Sequence, residues 1–161
     1  MEAVKTIQGK LDASALRIAI VASKYNPSIV EKLIASSLET LNECGLEPSK
    51  VKLIRVPGAY EIPLVCESLA SSAKFDAIIT VGAVIRGETI HFDLICQTVS
   101  SALIELSLTH ALPITFGIVA AETEEQALIR SRGAEMNRGV EATLAAIEMA
   151  NLMRQVSGGA V

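Results

Sequence analysis

The stretch Ala77–Asp93, with the sequence AIITVGAVIRGETIHFD, decides the fold. Residues 77–81 are an apolar run that is typical of a buried β-strand. A helix-like segment runs from about Ile90 to Leu108, so a turn bracketed by Gly82 and Gly87 should join a strand end to a helix start. In a parallel α/β sheet such a junction is where ligands bind, because free backbone N–H groups and the helix dipole attract anions.

His91 lies in the first turn of this predicted helix, beside the expected anion position. A proton-transfer group next to an anion site is a minimal arrangement for chemistry on a phosphorylated small molecule. The second of the two histidines, His110, precedes Ala111-Leu112-Pro113 and is interpreted as a loop residue outside the site.

Strand-like and helix-like segments alternate along the chain. The predicted strands are 16–21, 51–55, 77–81 and 114–119, and the predicted helices are 27–44, 60–73, 90–108, 124–130 and 137–154. Asn26-Pro27 is typical of a helix start, with Asn26 as the cap, and Gly45 closes the same helix. Short loops between alternating elements imply parallel strands and right-handed crossovers. We therefore expect a three-layer α/β/α sandwich with a flavodoxin-like parallel sheet.

The length of 161 residues predicts one domain, residues 1–161, with residues 1–12 as an N-terminal extension. Thr6–Lys10 alternates apolar and polar side chains, which favours an edge strand on its own sheet or on a neighbour's. The tail 157–161 is expected to be frayed.

Composition excludes several classes of protein. The net charge of −4 argues against a nucleic-acid surface, and no apolar run is long enough to span a bilayer. The N-terminus lacks the apolar core of a signal peptide, so we expect a cytoplasmic protein or one in a compartment reached without that signal. Cys44, Cys66 and Cys96 have no metal-binding spacing and are predicted to be reduced thiols rather than metal ligands.

The apolar content is high for one small domain. Hydrophobic residues make up 50% of the chain and the mean hydropathy is +0.44, although aromatic residues are only 3%. One small interior has limited room for this much apolar surface. Burial between subunits is the natural outlet, so a homo-oligomer is expected.

Aromatic and charged residues gather in the loops that leave the predicted strand ends. Tyr25, Tyr60 and Phe92 lie in or beside these loops, which favours a flat ligand stacked on rings over simple core packing. Glu61 either complements a helix dipole or accepts N–H bonds from a heterocycle. Arg86 either binds an anion or supports its loop, and the supporting role is preferred.

Arginines also flank a later loop that contains Gly133 and Gly139. Arg130, Arg132 and Arg138 would ordinarily form a solvated basic face. At least one of them is placed to reach a phosphate from a neighbouring element.

Taken together, several motifs make the chain resemble the lumazine synthase family over nearly its full length. They are Lys24-Tyr25-Asn26, Pro57–Pro63 (PGAYEIP), Gly82–Asp93, Phe116–Val119 (FGIV), Asn137-Arg138-Gly139 and Ile147–Leu152 (IEMANL). The resemblance implies a flavodoxin-like fold and the condensation of 5-amino-6-(D-ribitylamino)uracil with 3,4-dihydroxy-2-butanone 4-phosphate. The product would be 6,7-dimethyl-8-ribityllumazine, with loss of phosphate and water and without a cofactor or metal.

The resemblance also implies an assembly and a set of site residues. The chain would form a pentamer, or a 60-mer shell of twelve pentamers, with active sites between neighbours and riboflavin synthase as an optional partner. His91 would be the proton donor, and Glu88, Thr89 and Arg130 would bind phosphate. Phe116 would close the pocket from the adjacent subunit. The remaining pyrimidine and ribityl contacts would be Tyr25, Asn26, Ala59, Tyr60, Glu61, Ala83, Val84 and Ile85.

One segment departs from the family pattern. The family often has Gly-x-Lys-x-Gly-Asn-Lys-Gly after the phosphate arginine, whereas this chain has RGAEMNRG at 132–139. This loop is linked to the choice between a shell and a free pentamer, and its length is unchanged. Two alternatives to the enzyme are a non-catalytic flavin- or lumazine-binding protein and a shell-forming protein with a vestigial pocket. The presence of both His91 and Arg130 argues against each.

Overall fold

The computed structural model describes residues 4–133 and 135–159. Six residues lie outside the described ones. They are residues 1–3 of the predicted extension, Ala134 in the loop at 132–139, and Ala160 and Val161 of the predicted tail.

The sheet has four parallel strands in the order β2-β1-β3-β4. The strands are β1 (Ile18–Ser23), β2 (Lys52–Val56), β3 (Ala77–Ile85) and β4 (Ile114–Ala121). The helices are α1 (Pro27–Glu43), α2 (Ile62–Ser71), α3 (His91–His110), α4 (Glu124–Ile129) and α5 (Arg138–Ser157). This alternation confirms the predicted parallel α/β architecture.

Two apolar clusters, one on each face of the sheet, make the three layers. Ile20 and Ile147 belong to the cluster between the sheet and helices α1 and α5. Val21 and Leu103 belong to the cluster between the sheet and helices α2 and α3. Successive residues of a strand point to opposite faces, so β1, with every residue buried, contributes to both clusters.

Strand β3 continues to Ile85, four residues beyond its predicted end. The prediction that Gly82 brackets a turn is therefore wrong. Pairing with β4 extends the strand, since the ladder runs without a break to Ile85 opposite Ala121. Gly82 instead allows a close approach, because a Cβ there would lie 2.9 Å from the Ser23 Oγ.

Helix α1 begins as predicted, but its cap differs. Asn26 is in the N-cap position and Pro27 follows it as the first helical residue, but the Asn26 side chain makes no capping hydrogen bond. Its backbone is left-handed, with φ 56° and ψ 57°, and its side-chain amide donates a hydrogen bond to the carbonyl oxygen of Ala83. In contrast, Asn137 caps α5, since its Oδ1 accepts hydrogen bonds from the backbone N–H groups of Gly139 and Val140.

The described part of the N-terminal extension, from residue 4, contains no strand on the chain's own sheet. It lies along α5 instead. The Asn151 Nδ2 donates hydrogen bonds to the carbonyl oxygens of Lys10 and Asp12, both at 2.8 Å, and the Gln155 Nε2 donates to that of Gln8 at 3.0 Å. These side chains on α5 satisfy backbone carbonyls that a strand would have paired.

Candidate active site

A pocket opens at the carboxyl ends of β1 and β3, beside the start of α3. Its volume is about 810 Å³, and nine of the predicted site residues line it: Tyr25, Asn26, Ala59, Tyr60, Glu61, Ala83, Val84, Ile85 and His91. Gly58, Leu94, Ile95 and Thr98 complete the lining. The carboxyl edge of a parallel sheet is where α/β proteins bind ligands, so the pocket is the candidate site.

A tight turn after β2 brings Tyr25, Gly58 and Glu61 together. A Cβ at Gly58 would lie 2.9 Å from two carbon atoms of the Tyr25 ring, so the ring packs directly on the glycine backbone. One carboxylate oxygen of Glu61 accepts a hydrogen bond from the Gly58 N–H at 2.8 Å. Glu61 therefore stabilises the turn through a hydrogen bond, which neither of its two sequence-based interpretations included.

Asn26 connects the loop after β1 to the end of β3. Its Nδ2 donates a hydrogen bond to the carbonyl oxygen of Ala83 at 2.9 Å. This bond uses one N–H of the side-chain amide and links the two segments beside the pocket.

Helix α3 supplies the wall of the pocket that carries His91. Leu94, Ile95 and Thr98 follow His91 at intervals of three, four and seven residues, which places all four side chains on one helical face. The sequence contained this signal. Leu94, Ile95 and Thr98 were not predicted as site residues, although their spacing from His91 places them on its helical face.

The turn before α3 is close to the pocket but does not line it. Glu88 and Thr89 lie in this turn and are exposed. The Thr89 Oγ1 accepts the backbone N–H of His91 at 3.3 Å, so one of the N–H groups expected to attract an anion already has an acceptor.

Arg86 holds this turn to the rest of the fold. Its guanidinium donates two hydrogen bonds to Asp93, both at 2.9 Å, and a third to the Glu122 Oε2 at 2.7 Å. It also lies 4.3 Å from the centre of the Phe92 ring. The hydrogen bonds to Asp93, and then to Glu122, raise the pKa of Arg86 above its usual value. This geometry corresponds to the loop-supporting role rather than to an anion receptor.

Phe116 and Arg130 do not line the pocket of their own chain. Phe116 lies on the edge strand β4 and is 37% exposed. Arg130 follows α4, and its Nη2 contacts both carboxylate oxygens of Glu141 at 3.3 and 3.0 Å. No lysine or arginine is among the described residues that line the pocket.

Other predicted residues fall outside the pocket. His110 is the last residue of α3 and not a loop residue, and its Nε2 lies 2.9 Å from the Glu67 Oε2 on α2. Burial raises the pKa of the Cys66 thiol to about 12, which makes it unreactive at neutral pH. Within residues 4–133 and 135–159, no three His, Cys, Asp or Glu side chains cluster as a metal site.

None of the helices formed by the described residues has both the length and the apolar composition to cross a membrane.

Comparison with known proteins identifies the family to which this fold and pocket belong. The family described as 6,7-dimethyl-8-ribityllumazine synthase matches residues 15–154. A 6,7-dimethyl-8-ribityllumazine synthase of Desulfovibrio desulfuricans is 43% identical over 156 residues, which cover 97% of this chain and 100% of the relative. One of Desulfotalea psychrophila is 44% identical over 147 residues, which cover 91% and 95%. The parallel sheet, the pocket at its carboxyl edge and these matches show that the chain belongs to the 6,7-dimethyl-8-ribityllumazine synthase family.

Proposed function

We propose that the pocket condenses 5-amino-6-(D-ribitylamino)uracil with 3,4-dihydroxy-2-butanone 4-phosphate to 6,7-dimethyl-8-ribityllumazine, releasing phosphate and water. The observation that carries this proposal is the grouping of His91, Tyr25, Tyr60 and Glu61 around one pocket in a member of that family. We also propose that residues 1–161 form one domain.

The pyrimidine would bind at the end of the pocket that contains Tyr25. The ring of Tyr25, held against Gly58, offers a flat face for stacking. Glu61 lies in the same turn, and its second carboxylate oxygen is the group we assign to the heterocycle or the ribityl chain. Ala59, Ala83 and Ile85 supply small or apolar contacts around them.

His91 would transfer protons during the condensation. The uracil amine attacks the ketone to give an imine with loss of water. The carbon next to the imine then loses a proton as phosphate leaves the terminal carbon, and the resulting enol takes up a proton there to become a ketone. Attack of the ribitylamino nitrogen on this ketone closes the ring and releases the second water. These steps move protons on oxygen, nitrogen and carbon, and a histidine can act as acid or base in such transfers. The substrates are reactive, so holding them side by side should supply much of the acceleration.

No lysine or arginine is among the described residues that line this pocket within one chain, although such side chains commonly bind phosphate. We therefore propose that Arg130 reaches the phosphate from a neighbouring subunit and that Phe116 closes the pocket in the same way. Glu88 and Thr89 would add backbone N–H groups from the turn before α3. A pocket with nine predicted ligand contacts and with no lysine or arginine among the described residues that line it supports a site completed across a subunit boundary.

The exposed apolar surface supports self-assembly. Leu64 on α2 and Leu108 on α3 are 77% and 76% exposed, and Leu94 and Ile104 on α3 are also exposed. Side chains of this size in such a group are typical of a surface that a partner covers. A pentamer is the proposed unit, and a 60-mer shell is the favoured larger assembly. A cytoplasmic location and riboflavin synthase as a partner stay predictions.

The proposal is tested by mixing both substrates with protein treated with EDTA and freed of nucleotides. The absorbance and fluorescence of the lumazine product should rise faster than in the enzyme-free mixture, because the uncatalysed reaction also proceeds. A rate equal to that of the enzyme-free mixture would rule out catalysis and leave a binding or shell-forming protein.

A further inference from the structure

Glu141 holds two arginines with one carboxylate at the start of α5. The Arg130 Nη2 contacts both of its oxygens, and the Arg138 Nη1 donates to the Glu141 Oε2 at 2.8 Å. We call Arg130, Arg138 and Glu141 the arginine clamp. The carboxylate lies where it neutralises both guanidinium groups, which is the position that an oxyanion ligand would also take.

The backbone fixes the two arginines relative to each other. The backbone N–H of Arg138 donates a hydrogen bond to the carbonyl oxygen of Arg130 at 2.8 Å. Asn137, 2% exposed, caps the helix immediately before Arg138. Both arginine side chains therefore extend from backbone that is held by hydrogen bonds. A ligand can bind the two guanidinium groups after their side chains rotate, without a movement of the backbone.

Charge and exposure both leave the arginine clamp open to an anion. Two guanidinium groups and one carboxylate carry a net charge of +1, so the cluster still attracts a negative group. The side chains of Arg130, Glu141 and Arg138 are 27%, 39% and 42% exposed. They are accessible enough for a ligand to reach and are only partly screened by solvent.

We propose that Glu141 is an internal competitor for the ligand's phosphate: it occupies Arg130 and Arg138 until a phosphate displaces it, and it takes them back when phosphate leaves. This inference rests on the proposed phosphate role of Arg130. It adds that the chain limits its own phosphate affinity, which keeps the released phosphate from inhibiting the next cycle. Arg138 then becomes a second phosphate contact, in the position where the family pattern has a lysine.

The test replaces Glu141 by glutamine, which keeps the shape of the side chain and removes its charge. Inorganic phosphate is the probe, as a competitive inhibitor against the butanone phosphate and in direct calorimetric titration. Glu141→Gln should bind phosphate about 3- to 10-fold more tightly, the range expected for removing one partly exposed competing charge. The gain should shrink at high salt, because the competition is electrostatic.

Glu148→Gln is the matched control, since it removes the same charge from α5 away from the arginine clamp. It should leave phosphate affinity unchanged. Glu141→Asp keeps the charge on a shorter arm and should give a smaller gain, so it provides a second measurement if Glu141→Gln assembles poorly. Unchanged or weaker phosphate binding in folded, assembled Glu141 variants would overturn the proposal.

Arg130→Ala separates this inference from the function on which it rests. If Arg130→Ala loses phosphate binding but Glu141→Gln does not gain it, the competitor role alone is wrong. If Arg130→Ala binds phosphate as tightly as the parent protein, the phosphate assignment is wrong, and the competitor role fails with it.

Discussion

The side chain of Asn26 and the carbonyl oxygen of Ala83 are joined by a hydrogen bond of 2.9 Å between segments 57 residues apart. Asn26 combines this bond with a left-handed backbone at φ 56°. Asparagine is one of the few residues other than glycine that tolerate this conformation. Backbone and side chain therefore fix the same junction between β1 and β3, directly at the pocket.

Substitution of Asn26 should separate these two contributions. Asn26→Gly loses the hydrogen bond but keeps the left-handed backbone, whereas Asn26→Ala loses the bond and strains the backbone. The free energy of unfolding should be about 1 kcal/mol lower for the alanine variant than for the glycine variant. Urea unfolding at fixed protein concentration measures both. Equal stability of the two variants would show that the backbone conformation carries no cost.

Loss of His91 should affect turnover more than binding. His91→Ala should lower kcat about 10- to 100-fold, at the low end for an acid–base residue, because positioning of the substrates survives. KM for each substrate should change little. His110→Gln is the control, since His110 contacts Glu67 outside the pocket, and it should retain the parent turnover. Parent-like turnover in His91→Ala would exclude His91 as the proton donor.

The contact between Gly58 and Tyr25 should couple the two positions. A methyl group at residue 58 would lie 2.9 Å from the Tyr25 ring, so Gly58→Ala should displace the ring and raise KM for the pyrimidine. In a Tyr25→Ala background the same substitution should have little further effect, because the ring is absent. A double-mutant cycle measures this coupling. Additive effects would contradict the packing argument.

Asp76 should make the fold sensitive to acid. Burial alone would raise the pKa of Asp76, but hydrogen bonds from the side chain and backbone N–H of Arg17, with Arg154, hold it below its usual value. A carboxyl whose pKa is lowered by folding stabilises the protein above its unfolded pKa, near 4. This contribution is lost as pH falls through the lower folded pKa.

Asp76→Asn should therefore reduce the free energy of unfolding at pH 7 by about 1.5 kcal/mol, a modest value because Arg17 is exposed. The difference from the parent protein should shrink as the pH falls below 4. A difference that stays constant down to pH 2 would assign the loss to packing and not to the ionised carboxylate.

Mixed assemblies should reveal whether sites are shared between subunits. Phe116→Asp subunits and His91→Ala subunits should each be poorly active alone. After unfolding and co-assembly in equal amounts, about a quarter of the shared sites would combine an intact His91 with an intact Phe116 from the neighbour. Activity should rise above that of either parent variant. Mixed particles with no such gain would mean that each site is built within one chain.

The layers of the fold could be predicted because they depend on local patterns, whereas most of the pocket residues were implied by the resemblance to the lumazine synthase family. Apolar runs identify β1 and β3, and Asn26-Pro27 identifies the start of α1. The predicted ends of the strands were less accurate, because a strand's length depends on pairing with its neighbours in the sheet. Gly82 was interpreted as a turn residue, but pairing between β3 and β4 carries the strand on to Ile85.

Side-chain partners distant in sequence could not be predicted. Arg138 and Glu141 are three residues apart on α5, a spacing that favours an ion pair, but the contact of Arg130 with the same carboxylate spans a loop and could not be read from the sequence. The bond from Asn26 to Ala83 depends on the order of the strands. The strand-like pattern of Thr6–Lys10 was misleading as a guide to the chain's own sheet, because α5 supplies the hydrogen-bond donors there.

The aromatic composition of the pocket gives the protein a built-in optical reporter. The chain contains no tryptophan and two tyrosines, and both Tyr25 and Tyr60 line the pocket. Tyrosine emission therefore originates at the site alone. Quenching of this emission by a stacked heterocycle would follow occupancy without a label, and Tyr25→Phe and Tyr60→Phe would divide the signal between the two rings.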